Sequence, residues 1–155
     1  MTNSNPSLPP PLAQTPRFIP KKLSIAFLVI SFIGFLDATY LTAKHYLGTP
    51  LPCSFFTGCD TVTKSVYSTI GPIPVALLGA LYYFTLFALA AGFFGFGARK
   101  MLLLAARLTP IGILASLWFL ILQLFIIKAI CLYCMISILS STLLFIFGLK
   151  IKTYQ

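Results

Sequence analysis

Four apolar stretches, at residues 23–43, 73–97, 101–127 and 130–149, take up most of this chain and leave little from which to build a water-soluble globule. Each is about as long as the roughly 20 residues a helix needs to cross a hydrocarbon core about 30 Å thick. Inside such a core the backbone must satisfy its own hydrogen bonds, and predominantly apolar runs of this length predict helices. Composition agrees, with 59% hydrophobic and only 8% charged residues and a mean hydropathy of +0.98. The expected fold class is therefore an all-α integral membrane protein, a four-transmembrane-helix bundle. Its last two spans run together with only Lys128 near the join. A tight turn is expected there from length alone, without a Gly or Pro to mark it.

A formal net charge of +9 would suit a nucleic-acid partner, but the eleven basic residues are dispersed between apolar spans rather than interleaved with aromatics on a polar face. They read as a topology signal. Arg17, Lys21, Lys22, Arg99, Lys100, Arg107, Lys150 and Lys152 fall on one side of the four spans; Lys44, Lys64 and Lys128 fall on the other. By the positive-inside rule this asymmetry places both termini in the cytoplasm and all four cysteines on the outer side. For a bacterial inner (cytoplasmic) membrane that side is oxidising, and disulfides persist there. Residues 1–22 are rich in proline and lack hydrophobic periodicity, so a disordered cytoplasmic tail is expected ahead of a membrane domain at 23–150. The first apolar run is too long for a cleaved leader and lacks a small-residue cleavage pattern.

The one sizeable loop, 44–72, carries Cys53, Cys59, Asp60 and Ser65. Asp60 is expected to cap a short surface helix running through Tyr67, with Val62, Val66 and Ile70 on one apolar side along the membrane. Gly71-Pro72-Ile73-Pro74 would stop that helix and start the second span. Small residues at helical spacing, Gly34 with Ala38, Gly112 with Ser116 and Ser137 with Ser141, would let the spans approach closely.

The other cysteine pair, Cys131-Leu132-Tyr133-Cys134, should open the fourth span at its outer end. Free N–H groups and the helix dipole there favour negative charge on sulfur and lower thiol pKa values. Residues three apart share a helix face, so the two sulfurs can join in a disulfide or present a thiolate to a ligand. Cys53 and Cys59 are separated by five residues that include Gly58, and their ends can meet in a loop. These residues leave open a dithiol relay, a set of structural disulfides in a membrane scaffold, or a metal sensor with a four-cysteine zinc site. A small transporter is disfavoured by the lack of an internal repeat. Asp37, inside the first span, is a candidate functional group because intramembrane carboxylates are costly. Lys44 and His45 mark the outer headgroup boundary. Trp118, Tyr82 and Tyr83 read as packing or pocket wall, and Tyr133 as a pocket-lining candidate.

In order and spacing these features resemble the vitamin K epoxide reductase family in its short bacterial form. The resemblance rests on Cys53 and Cys59 in the first loop, Ser65 six residues later, the 71–76 segment with Gly79 beyond it, Cys131 and Cys134 opening span four, and the segment from Asp37 to Tyr46 closing span one. It implies a quinone-dependent thiol oxidoreductase in which a secreted thioredoxin-fold (DsbA-like) partner, a separate protein here, passes electrons to Cys53 and Cys59. They continue to Cys131 and Cys134 and on to ubiquinone or menaquinone, in support of disulfide bond formation. Cys134 would lie nearest the quinone ring and Ser65 beside the sulfurs. The quinone-binding candidates are Cys134, Asp37, Val75, Tyr133 and Ile138. Val75 and Ile138 stand where the animal epoxide-reducing branch carries a polar amide and a tyrosine, which points away from epoxide reduction. No metal is implied. The other four-helix quinone-linked thiol oxidases carry their two cysteine pairs in the reverse order.

Overall fold

The computed structural model describes residues 20–154 except 50–57, together with all but the side chain of Asp60 within that range. Most of the expected N-terminal tail, and Cys53, lie outside the described residues. The elements run α1 (Lys21–Leu47), α2 (Cys59–Thr63), a 3-10 turn (Val66–Ser68), β1 (Thr69–Ile70), β2 (Ile73–Pro74), α3 (Val75–Phe96), α4 (Arg99–Ile121), a π-helical turn (Leu122–Ile127) and α5 (Leu132–Thr153). Four helical stretches are long and apolar enough to cross a membrane: Lys21–Leu47, Val75–Phe96, Arg99–Ile127 and Leu132–Thr153. The four expected spans are all present, and the chain is a multi-pass, all-α membrane protein.

The long helices close a ring in which α1 packs on α3 and α5, and α4 packs on α3 and α5. Phe27, Leu86, Leu102, Leu144 and Ile151 are fully buried in one apolar cluster. By their places along the helices, Phe27, Leu102 and Ile151 lie toward the end of the bundle that carries Lys21, Arg99 and Lys152, and Leu86 and Leu144 lie near mid-span. At that end the Arg99 guanidinium donates to the Tyr154 carbonyl, tying the start of α4 to the end of α5. Large apolar side chains such as Phe32, Leu36, Leu114 and Leu139 point outward, where the acyl chains of a bilayer would be their solvent.

Of the small residues expected to permit close approach, Gly34 and Gly112 each meet a partner, and so does Gly148, which the sequence reading did not single out. A Cβ on Gly34 would stand 2.5 Å from the Tyr83 ring, one on Gly112 would strike the Tyr82 hydroxyl, and one on Gly148 would stand 2.7 Å from Thr109 Oγ1. Tyrosine rings, rather than the backbones of paired helices, occupy the first two notches.

The loop departs from expectation. The helix beginning at Cys59 ends at Thr63 with Asp60 inside it, so Asp60 is not its cap. Ser65 turns extended (φ −66°, ψ 155°) while its hydroxyl donates to the Val62 carbonyl at 2.8 Å. A serine side chain that takes a local carbonyl offers the backbone an alternative to helix, which is why the segment breaks here. Val62 is then buried at 6% exposure while Val66 is 81% exposed, so the single apolar face does not form. Beyond it, Gly71 and Pro72 turn a two-residue hairpin that pairs Thr69 with Pro74 and Ile70 with Ile73. Gly71 sits at φ 62°, the positive angle that such tight hairpin turns require at their first central residue.

The third-to-fourth connection is as tight as its length predicts. Lys128 supplies the reversal in the left-handed region at φ 53°, and α5 starts at Leu132 with Cys131 as its N-cap.

Candidate functional site

Two segments far apart in sequence meet at the end of the bundle opposite Arg99 and Lys152. Cys59, Val62 and Cys131 form one buried cluster, with Ile127, Ala129, Tyr133 and Cys134 packed against it. Cys59 is held in a disulfide, whereas Cys131 and Cys134 are free thiols. Glycine makes the approach possible: a Cβ on Gly58 would lie 2.8 Å from the Ile130 carbonyl oxygen and 2.9 Å from both Ile130 N and Ala129 Cβ. The residue before Cys59 thus lies directly on the residue before Cys131. From the other side, Gln123 Oε1 accepts the Cys131 N–H at 3.0 Å, and the Gln123 carbonyl accepts the Ala129 N–H at 3.2 Å.

Cys131 sits between the spans, at the N-terminus of α5, where its sulfur faces donors. A hydrogen bond from the Cys134 thiol, and then the N–H groups of Cys134 and Tyr133, outweigh burial and pull its pKa down to about 7. An N-cap position supplies free N–H groups, and a thiolate is the form they favour. The sign follows: the thiolate predominates above about pH 7 and is lost as pH falls through that value. Titration of the reduced protein, read as thiolate ultraviolet absorbance minus that of Cys131→Ser, should therefore show a midpoint near pH 7. A midpoint at the ordinary cysteine value, about 8.5, would contradict this geometry.

Next to the cysteines lies a half-open cavity of about 620 Å³ lined by α1, α3, α4, α5 and the loop. Four expected site residues, Ser65, Val75, Cys134 and Ile138, line it. Asp37 and Tyr133 are not in its wall. Asp37 lies close enough to Cys131 for electrostatic interaction, with Oδ2 buried and without a hydrogen-bond partner among the described residues. Tyr133 packs against Tyr40 at 5.2 Å between ring centroids.

The cavity wall is mostly apolar, with hydroxyls drawn from the loop and from α3, α4 and α5. Tyr83 is buried and donates to the Ser137 carbonyl at 2.8 Å, with Ser137 Oγ at 3.1 Å and Ser141 Oγ at 2.7 Å from the same oxygen. Ser137 is three residues beyond Cys134, so this chain of hydroxyls continues along the face of α5 that carries the thiol. The Tyr82 hydroxyl, also in the wall, is buried without a hydrogen-bond partner among the described residues. His45 lines both this cavity and a smaller polar one of about 310 Å³ bounded by Lys44 and Lys64.

Gln123 escaped sequence reasoning, as did the contact of Gly58 with Ile130 and the hydrogen bonds that join Tyr83 to Ser137 and Ser141. Gln123 carried a signal, since an amide within an apolar span is costly unless it has a partner. Gly58 carried none, because only the fold reveals what a side chain would strike. Among the described residues no group of three or more His, Cys, Asp or Glu gathers as metal ligands; Cys53, needed by a four-cysteine site, lies outside them.

A search of curated proteins finds no match. The model of the Vitamin K epoxide reductase family matches residues 25–149, a stretch that takes in the loop, both cysteine pairs and nearly all of the four spans. This family consists of helical membrane proteins with thiol/quinone oxidoreductase chemistry. With four apolar helices, two cysteine pairs in the expected order and a match across most of its length, the chain belongs to the vitamin K epoxide reductase family.

Proposed function

We propose that this protein oxidises a secreted thioredoxin-fold partner and passes the electrons through its two cysteine pairs to a membrane quinone, so supporting disulfide bond formation outside the cytoplasm. The observation that carries this reading is the shared burial of Cys59 and Cys131 beside a cavity that Cys134 lines. In the proposed topology, residues 23–150 are the membrane domain of a bacterial inner-membrane protein. Both termini are cytoplasmic and the cysteines face outward, in keeping with the basic residues gathered at the opposite end.

Each transfer is attack of a thiolate on a disulfide. A partner thiolate attacks Cys53 in its disulfide with Cys59 and releases the Cys59 thiolate; the second partner thiol resolves the mixed disulfide and the partner leaves oxidised. Cys59 attacks Cys131 in the Cys131–Cys134 disulfide and releases the Cys134 thiolate. Cys53 then attacks Cys59, restoring the outer disulfide and releasing Cys131, whose low pKa makes it a good leaving group. A disulfide-bonded Cys59 beside free Cys131 and Cys134 thiols is the state expected at the end of that exchange. Cys131 and Cys134 finally give up two electrons and two protons and close their own disulfide. The quinone supplies the two-electron sink for this last step.

The cavity fits such an acceptor in size and character: ligand sites of roughly 300–1,000 Å³ are mostly apolar with a few placed polar groups. Val75 and Ile138 offer shape without hydrogen bonds. The Tyr82 hydroxyl and the Tyr83–Ser137–Ser141 chain offer donors for a quinone carbonyl, and Ser65 an oxygen near the loop. Tyr82→Phe is expected to raise KM for the quinone about fivefold to tenfold with kcat within about twofold, because a single hydrogen bond to substrate is lost. An unchanged KM would remove Tyr82 from the site.

The testing experiment is turnover by the purified protein in detergent, with dithiothreitol or a reduced thioredoxin-fold protein as donor and ubiquinone or menaquinone as acceptor. Quinone-dependent oxidation of the donor supports the reading. No turnover with either acceptor, accompanied by stoichiometric zinc, would overturn it in favour of a metal-binding membrane scaffold.

A further inference from the structure

The connection that delivers Cys131 is unusual along its whole length. Leu122–Ile127 is a π-helical turn, a rare form found mostly as short insertions at functional sites. Lys128 follows in the left-handed region, the only described non-glycine residue with positive φ. Gln123, 1% exposed, grips both arms of the reversal: its backbone carbonyl takes the Ala129 N–H and its side-chain Oε1 takes the Cys131 N–H. Its Nε2 is buried without a hydrogen-bond partner among the described residues. An amide placed so deeply is costly, and satisfying its own donors does not account for its position. What the structure uses is the acceptor.

We propose that Gln123 is a positioning residue of the relay, holding the Cys131 backbone so that the Cys131 sulfur is presented to Cys59. The proposal deepens, and rests on, the reading that these two cysteines exchange. Cys131 is the N-cap of α5 with an extended backbone (φ −101°, ψ 122°), so no intrahelical bond fixes its N–H. Gln123 Oε1 supplies the missing acceptor. On the opposite side Gly58 presses on Ile130, so the segment at 129–131 is clamped between the loop and Gln123. A residue that lets go of the Cys131 N–H frees the sulfur to rotate away from its partner while leaving the four helices in place.

The test uses the full chain carrying Cys53→Ser and Cys134→Ser, in which Cys59 and Cys131 are the two remaining cysteines. Equilibration with reduced and oxidised glutathione, followed by acid quench and thiol mass-tagging, gives the effective concentration of Cys59 for Cys131. Oxidised glutathione takes up the electrons as the Cys59–Cys131 disulfide closes. Gln123→Met, of similar size but without the acceptor, is expected to lower that effective concentration about tenfold. Gln123→Glu, which keeps Oε1, should stay within about threefold of the parent, while melting temperatures in detergent separate loss of folding from loss of position. Equal effective concentrations for parent and Gln123→Met would overturn the assignment and leave Gln123 a packing residue. Absence of a Cys59–Cys131 disulfide in the parent itself would instead overturn the exchange on which the assignment rests.

Discussion

Cys134→Ala is expected to abolish quinone reduction, with a loss on the order of a thousandfold or more whichever donor is used, as for removal of a reacting nucleophile. Cys134 is the free thiol in the cavity wall, and without it Cys131 has no partner with which to close a disulfide after giving up electrons. Cys53→Ala should behave differently. Partner oxidation should fall just as far, but dithiothreitol, small enough to reach the inner pair, should still drive quinone reduction within about tenfold of wild type. Spectrophotometric turnover with the two donors checks both. A Cys53→Ala protein that oxidises the partner at full rate would remove the loop pair from the path.

The second large effect is expected from Gly58→Val. Its side chain would run into Ile130 N, the Ile130 carbonyl oxygen and Ala129 Cβ, all closer than 3.0 Å to an added Cβ, and backbone atoms cannot swing aside. The loop must lift from the 129–131 segment and carry Cys59 away from Cys131. Thiol exchange needs three sulfurs nearly in line, and a displacement of about 1 Å is enough to cost about 100-fold. Partner-driven turnover should therefore fall about 100-fold while dithiothreitol-driven turnover at Cys131 and Cys134 is kept. Parallel loss with both donors would mean that the substitution disturbs the bundle rather than the contact between the pairs.

These two substitutions mark different depths of legibility. Cys134 announced itself: two cysteines three residues apart at the mouth of an apolar run form a local pattern, and local spacing fixes which helix face both occupy. Gly58 reads from the sequence only as a residue whose backbone freedom lets Cys53 and Cys59 meet. Its contact with Ile130 spans more than seventy positions of sequence, and nothing in either segment encodes the distance. Asp37 and Tyr133 illustrate the same limit from the other direction. Asp37, Tyr133, Val75 and Ile138 stand together as candidates by chemical type and resemblance, and of these the cavity wall holds Val75 and Ile138. Which side of a helix meets a cavity depends on the rotation of that helix against its neighbours. In these spans apolar residues occur all round, so no polar face is available to set that rotation from sequence.

The number of spans and their approximate ends followed from the sequence itself. Hydrophobic length against bilayer thickness is a one-dimensional constraint, and so is the spacing of residues along a helix. The tertiary structure decided the rest: the break at Ser65 that buries Val62 and exposes Val66, the π-helical turn that brings Gln123 to Cys131, and the tyrosine rings seated on Gly34 and Gly112. Each of these depends on atoms from segments distant in sequence competing for one volume or one hydrogen bond, and that competition is resolved only when the helices pack.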